Sequence, residues 1–135
     1  MNSRELKNHL YEQVARIGAA VSSPKRLELL EILAQGEKPV EALAREAAID
    51  IKLASAHLRV LKAAQLVQVR QDGKSRIYRV SGADVAALWV ALRSVATGDL
   101  GAKQDGRNGG AFAVSADGRT VAVITAGGLS ILRDP

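Results

Sequence analysis

Apolar residues recur every three or four positions through most of the first 97 residues, and this spacing predicts a series of amphipathic helices. The first predicted helix covers residues 4–20. Its apolar stripe consists of Leu6, Leu10, Val14, Ile17 and Val21. The segment SSPKRLELLEILAQG predicts a second helix, because Ser23 can cap it, Pro24 suits the first helical position and Gly36 follows its end. Its inward residues are predicted to be Leu27, Leu30, Ile32 and Leu33.

Two short predicted helices come next and are joined by only a few residues. The first covers about residues 40–47, with Leu43 and Ala47 on one face, and Ile49 follows as a buried link. Asp50 is placed to cap the second helix, which extends to about residue 64. Its inward residues are predicted to be Leu53, Leu58 and Leu61. Two short helices connected in this way are typical of a helix-turn-helix.

From residue 66 the apolar pattern changes to a period of two, which predicts strands. Val67 and Val69 alternate with polar residues, QDGK supplies a turn, and SRIYRV is the returning strand of a hairpin that must pack against the helices. A last helix, GADVAALWVALRSVA, has one apolar face formed by Val85, Leu88, Trp89 and Leu92. The sequence therefore predicts a mostly α fold with a β-hairpin wing, a winged helix-turn-helix of order α-α-α-α-β-β-α in residues 1–97.

The positive charge of the chain, +5 overall, is concentrated in one stretch. Residues 52–79 contain seven Lys and Arg and one acid, Asp72, whereas residues 28–50 contain six acids and two bases. A concentrated positive surface attracts polyanions, so the distribution points to nucleic acid as a partner.

Composition excludes several other classes of protein. No apolar run approaches the roughly 18 to 20 residues of a membrane span, and MNSRELKNHLYEQ is too polar for a secretory signal, so the expected location is the cytoplasm. The absence of cysteine excludes disulfides, thiolate metal sites and cysteine redox switches. No nucleophile stands with a base at useful spacing, and we therefore do not expect an enzyme.

The order of elements, with the segments SSPKRLELLEIL, VEALAREAAIDIKLASAHLRVLKAAQLV and VRQDGKSRIYRV, resembles the ArsR/SmtB family of winged-helix bacterial repressors over about residues 8–97. The segments YEQVARIGAAVSSPKRLELLEILAQGE and VAALWVALRSVA are most similar to the repressor part of ArsR-type proteins with a C-terminal rhodanese domain. The resemblance implies a homodimer on an inverted-repeat operator in double-stranded DNA, with recognition helices in successive major grooves and release by an effector that stays unknown.

The resemblance assigns the DNA contacts to the second helix of the helix-turn-helix. Lys and Arg can bond guanine edges or phosphates, and alanine can meet a thymine methyl group. The positions on this helix are Lys52, Leu53, Ser55, Ala56, His57, Arg59 and Lys62. Leu53 and Ala56 are less polar than is usual in the family, which predicts weak or narrow base discrimination. The alternative interpretation is an ordinary solvated helix face, and for His57 it is packing beside the turn.

The wing and the outer helices complete the implied sites. The wing residues implied to contact phosphates or the minor groove are Arg70, Lys74, Ser75 and Arg76. The alternative interpretation is that they form a solvated edge strand protected by its charges. The implied dimer interface consists of Leu6, Leu10, Val14, Ile17, Val85, Leu88, Trp89 and Leu92. A small-ligand pocket around Trp89 is the alternative to simple packing.

The metal sites of the family have no counterpart in this sequence. Where the family places cysteines, in a stretch like ELCVCDL, this chain has EKPVEAL, with Pro39 and Glu41 at the thiolate positions. At the last helix Asp84 is present but no histidine follows. We therefore expect no metal and no cofactor. Two rival functions stay open: a winged-helix protein-interaction module, and the regulatory half of a rhodanese fusion.

Residues 98–135 differ in character from the rest. GDLGAKQDGRNGG is a Gly-rich linker by composition, and AFAVSADGRTVAVITAGGLSILRDP predicts strand, ADGR turn, strand, Gly-Gly and strand. Three interpretations stay open: a β-forming tail that packs on the dimer, a disordered tail, or the remnant of a second domain. We favour the last, because the family resemblance stops where a second domain would begin.

Overall fold

The computed structural model describes residues 2–98 and three strands, at residues 111–114, 120–125 and 128–133. The chain divides into two compact units, residues 1–89 and 90–135. The helices are α1 (Ser3–Ala20), α2 (Pro24–Ala34), α3 (Val40–Glu46), α4 (Ile51–Ala63) and α5 (Ala83–Thr97). The strands are β1 (Lys38–Pro39), β2 (Val67–Asp72), β3 (Ser75–Val80), β4 (Ala111–Val114), β5 (Thr120–Thr125) and β6 (Gly128–Arg133). The predicted mostly helical fold with a hairpin wing is confirmed.

Side-chain caps fix where the helices begin. The Asn2 side chain accepts a hydrogen bond from the Glu5 amide at 2.8 Å, and the Glu5 carboxylate accepts one from the Asn2 amide at 3.1 Å, forming a capping box. Ser23 caps α2 by accepting from the Arg26 amide at 3.3 Å, with Pro24 at the first helical position. Asp50 caps α4 by accepting from the Leu53 amide at 2.7 Å. The predicted caps at Ser23 and Asp50 are confirmed.

The turn between α3 and α4 contains no glycine, although its geometry would suit one. Ala48 has a left-handed conformation, with φ of 56°. Its amide donates to the carbonyl of Arg45 at 3.2 Å, and the amide of Ile49 donates to the carbonyl of Ala44 at 3.0 Å. These two bonds form a Schellman motif, which ends α3 and directs the chain into α4.

The same motif ends α4 and leads into the wing. Gln65 has φ of 63°, and the amide of Leu66 donates to the carbonyl of Leu61 at 3.0 Å. Leu61 and Leu66 are both buried, as the hydrophobic contact of this motif requires. The start of β2 is therefore fixed relative to α4.

The wing belongs to a three-stranded antiparallel sheet of order β1-β3-β2. β2 and β3 pair from Val67 with Val80 to Asp72 with Ser75, leaving a two-residue turn in which Gly73 has the positive φ, 59°, that such hairpins require. β1 was not predicted; it pairs with β3 through Pro39 opposite Ile77. The sheet thus joins the wing to the segment between α2 and α3.

The core lies where α2, α3, α4 and the base of the wing meet. Leu29 on α2 is fully buried, whereas Leu27 and Ile32 are only half-buried, so the predicted inward stripe of α2 was partly wrong. On α4 the prediction that Leu53 faces inward was also wrong, because it is 43% exposed and Ala54 takes the core position. The fully buried large side chains are Leu29, Leu33, Leu43, Leu58, Leu61 and Val67.

The second unit contains an antiparallel sheet of order β4-β5-β6. β4 pairs with β5 from Ala111 opposite Ile124, and β5 pairs with β6 from Thr120 opposite Arg133. The predicted ADGR turn and most of the predicted Gly-rich linker lie outside the described residues.

Candidate nucleic-acid interface

The orientation of α4 is set by three side chains on one face. Ala54, Leu58 and Leu61 are completely buried against the core. With 3.6 residues per turn, the opposite side of the helix presents Lys52 and Arg59, both exposed. α4 is therefore held along one side and open to a partner along the other.

The cations of α4 are available for an external partner. Lys52, Arg59 and Lys62 are exposed, and within residues 2–98 none of them forms a hydrogen bond or an ion pair. No acid occurs between residues 51 and 71 to offset them. Ser55 is half-buried and Ala56 is exposed beside these cations. The predicted base-facing residues thus lie on one side of α4 or at its edges.

Sequence reasoning missed Ile51 at this surface. It is the first residue of α4 and is 51% exposed, next to Lys52 and close to Leu53. An isoleucine directly after an N-cap would ordinarily be taken for a core residue. The signal that could have found it is position: the first turn of a recognition helix approaches the bases whatever the polarity of its residues.

Two cations at the tip of the wing are also open. Lys74 and Arg76 are exposed and form no ion pair or hydrogen bond in the part of the chain that the structure describes, and Ser75 between them is half-buried. Lys74 is in the two-residue turn, and Arg76 is the second residue of β3. The wing tip and α4 therefore both present positive charge.

Arg70 differs from the other wing cations, because it is already paired within the protein. It donates to the carboxylate of Glu37 at 2.6 Å and lies 3.6 Å from that of Asp72. The hydrogen bond and charge of Glu37, with a smaller effect of Asp72, raise the pKa of Arg70 above its ordinary value. Arg70 links β2 to the segment before β1, and two carboxylates offset its charge.

His57 lies beside an arginine of α2. The Arg26 guanidinium places Nη1 3.5 Å from Nδ1 of His57. The same guanidinium donates to the carbonyls of Ala20 at 2.6 Å and Ala19 at 3.3 Å, at the end of α1. Among the described residues no three His, Asp or Glu side chains gather into a metal-binding group. The surroundings of His57 are therefore those of a packing residue.

Lys25 connects α2 to the helix-turn-helix. Its ammonium group donates to the carbonyl of Ala47 at 2.6 Å and to the carboxylate of Glu28 at 3.1 Å. A cation at the C-terminal end of α3 satisfies a free carbonyl and interacts favourably with the helix dipole. The first turn of α2 thus fixes the turn that precedes α4.

An apolar face of α1 remains open to solvent. Leu10 is 57% exposed and Val14 is 60% exposed; Leu6 and Tyr11 are similar. Ile17, also predicted at the dimer interface, is half-buried and packs partly against the core. An exposed apolar helix face of this kind is unfavourable in water.

None of the helices described here is both long and apolar enough to span a bilayer.

Along α5 the predicted interface residues differ in burial. Val85 is buried in the core, Leu88 and Trp89 are half-buried, and Leu92 is exposed. Two residues that were not predicted, Val90 and Val95, are also exposed. The exposed apolar residues of α5 are thus concentrated in its C-terminal half.

Residues 23–69, which extend from the cap of α2 into β2, match the family described as "Bacterial regulatory protein, arsR family". The chain is 43% identical over 90 residues to the HTH-type transcriptional regulator Rv0324 of Mycobacterium tuberculosis; the match covers 67% of this chain but only 40% of that protein.

Two solved structures are also similar. The solution structure of the homodimeric winged helix-turn-helix DNA-binding domain of Mb0332 from Mycobacterium bovis (fragment 1–100) has 41% identity and a TM-score of 0.67; the match covers 74% of this chain and 91% of that one. The crystal structure of NolR from Sinorhizobium fredii has 30% identity and a TM-score of 0.62; the match covers 70% of this chain and 93% of that one. With its winged helix-turn-helix and these matches, the chain belongs to the ArsR family of bacterial regulatory proteins.

Proposed function

We propose that this protein is a transcriptional repressor that binds an inverted-repeat operator in double-stranded DNA as a homodimer. One observation supports this above all: the outward side of α4 presents Lys52, Arg59 and Lys62 without internal partners among the described residues, beside a wing tip with two more such cations. The major groove of DNA accepts a helix, and its phosphates favour cations on both sides of it.

In this proposal α4 enters the major groove. Lys52, Ser55 and Arg59 donate hydrogen bonds to bases or to the nearest phosphates, and Lys62 binds a phosphate further along the strand. His57 positions α4 through Arg26, and its second ring nitrogen remains available to a phosphate.

The wing binds the DNA backbone next to the groove. Lys74, Ser75 and Arg76 at its tip contact phosphates, and each cation that does so releases counterions. Arg70 orients the wing through Glu37 and takes part in DNA binding only when that pair opens.

The homodimer forms through the exposed apolar residues of α1 and the C-terminal half of α5. The Mb0332 domain, which is described as homodimeric, supports this assignment by similarity. A dimer with twofold symmetry places two copies of α4 in successive major grooves, with half-sites roughly 34–36 Å apart. An inverted repeat matches this symmetry.

The proposed DNA-binding and dimerisation domain is residues 1–97, followed by a linker and tail in residues 98–135. These 135 residues contain no cysteine, so they supply no thiolate for metal binding or for persulfide chemistry. The similarity to Rv0324, which extends over part of a longer protein, agrees with a regulatory unit that also occurs in larger architectures. That the larger architecture is a rhodanese fusion stays a prediction.

Fluorescence anisotropy tests the proposal, with DNA from upstream of the protein's own gene beside a scrambled duplex of the same composition. We expect tight binding to the first duplex only, with an affinity that falls steeply as salt rises. The double variant K52A/R59A should lose this binding.

The matched control is R4A/R45A, which removes the same charge from exposed positions on α1 and α3 and should bind as the wild type does. Equal weak binding to both duplexes would contradict the repressor proposal and favour the protein-interaction module. Equal loss of affinity in both variants would show that only net charge matters.

A further inference from the structure

Two large apolar side chains are exposed in the first turn of α4, the recognition helix. Ile51 and Leu53 lie on either side of Lys52, and each exposes more than two fifths of its surface. α4 already packs against the core through Ala54 and Leu58, so neither side chain is needed there. Ala56, one turn further, is also exposed. The first turn of α4 therefore exposes two large apolar side chains on opposite sides of the helix, with the cation Lys52 between them.

The polar residues of α4 limit which bases it can recognise. Residues 51–64 contain no Asn, Gln, Asp or Glu. Asn and Gln are the side chains that bond adenine in the major groove, and Asp and Glu are those that accept from cytosine. Thymine differs from the other bases in displaying an apolar group, its C5-methyl, at the same edge. Lys and Arg remain for guanine and phosphate, and Ser55 can bond more than one kind of base.

We infer that Ile51 and Leu53 contact thymine C5-methyl groups in the major groove, so that each operator half-site has thymine opposite the first turn of α4. This inference rests on the proposed function and specifies the DNA that it binds. The first residues of a recognition helix approach the base edges most closely. Lys52 and Arg59 lie on the outward side of the helix, where they can bond guanine or a phosphate beside such a thymine.

Selection supplies the operator, from a pool of duplexes with a random central segment of about 30 base pairs, long enough for two half-sites one helical turn apart. The selected duplex is then synthesised with thymine and with uracil in the half-sites, a change that removes only methyl groups. We expect uracil to weaken binding by about fourfold for each contacted methyl, from the transfer free energy of one such group. Fluorescence anisotropy measures the two affinities.

The variant I51A/L53A should bind the thymine and uracil duplexes equally. Both side chains are exposed, so the substitution leaves the core intact. V60A is the matched control, because Val60 is another exposed apolar residue of α4, two turns beyond Leu53. V60A should keep the wild-type preference for thymine.

The possible results separate the inference from the proposed function. Selected half-sites without thymine, or equal binding of both duplexes by the wild type, would overturn the inference and leave the repressor proposal standing. A preference for thymine that survives in I51A/L53A would also overturn it. If selection enriches no duplex at all, the proposed function fails and the inference fails with it.

Discussion

Ala48 occupies a left-handed conformation, with φ of 56°, in the turn before α4, and replacing it by glycine should stabilise the protein. A Cβ atom in this conformation costs about 1–2 kcal/mol. Two backbone hydrogen bonds, from the amides of Ala48 and Ile49, hold the turn in place, so Ala48 keeps this unfavourable conformation in the folded state. Glycine adds about 0.5–1 kcal/mol of conformational entropy to the unfolded state, and the midpoints of the two ranges leave a net gain of about 0.7 kcal/mol.

Thermal unfolding followed by circular dichroism measures this gain. For a domain of this size 1 kcal/mol shifts Tm by about 4–8 °C, so A48G should raise Tm by roughly 3–6 °C. Protein concentration must be equal in all samples, because dimerisation makes Tm depend on it. The control is A47G, one residue earlier, where φ is −82° and the methyl group is buried; this variant should lower Tm. A Tm of A48G at or below that of the wild type would refute the reasoning.

Three further predictions concern the core, the dimer and the wing. L58A removes a fully buried side chain of α4 and should destabilise the fold by about 2–5 kcal/mol in urea unfolding; a loss below 1 kcal/mol would contradict its place in the core. V14D puts a charge on the exposed apolar face of α1 and should give a monomer in light scattering, whereas A15D on the same helix should not; a V14D dimer would rule out that face. E37A releases Arg70 and should steepen the slope of log affinity against log salt by about 0.9 if the arginine then reaches a phosphate. An unchanged slope would confine Arg70 to a structural role.

Features that depend on neighbouring residues could be predicted from the sequence. Ser23 and Asp50 cap their helices with bonds to amides three residues ahead, and such caps have a local signature. Gly73 in the hairpin turn is local for the same reason. In LELLEIL, by contrast, adjacent leucines fit more than one helix face. The pattern therefore predicts Leu27 on the inward face of α2, whereas the structure buries Leu29 and leaves Leu27 half-buried.

Features that depend on distant contacts could not be predicted. The strand β1 forms where Lys38 and Pro39 pair with Tyr78 and Ile77, which lie far along the chain. The pairing of Arg70 with Glu37 joins residues 33 positions apart, and nothing in the charge pattern distinguishes Arg70 from Arg76. The left-handed turn at Ala48 could not be predicted either, because the segment contains no glycine, the residue that usually indicates this conformation. The exposure of Ile51 and Leu53 follows from how α4 packs, which periodicity resolves only coarsely.

Lys25 and Arg26 are neighbours in the first turn of α2, yet they bind the ends of two different helices. Arg26 holds the last carbonyls of α1, and Lys25 holds the carbonyl of Ala47, just before the turn into α4. A change in the angle of α1 therefore disturbs an arginine whose neighbour fixes the start of the recognition helix. In a dimer joined through α1, the distance between the two recognition helices would then depend on the subunit interface, so an event there could alter operator fit without touching the DNA-binding residues.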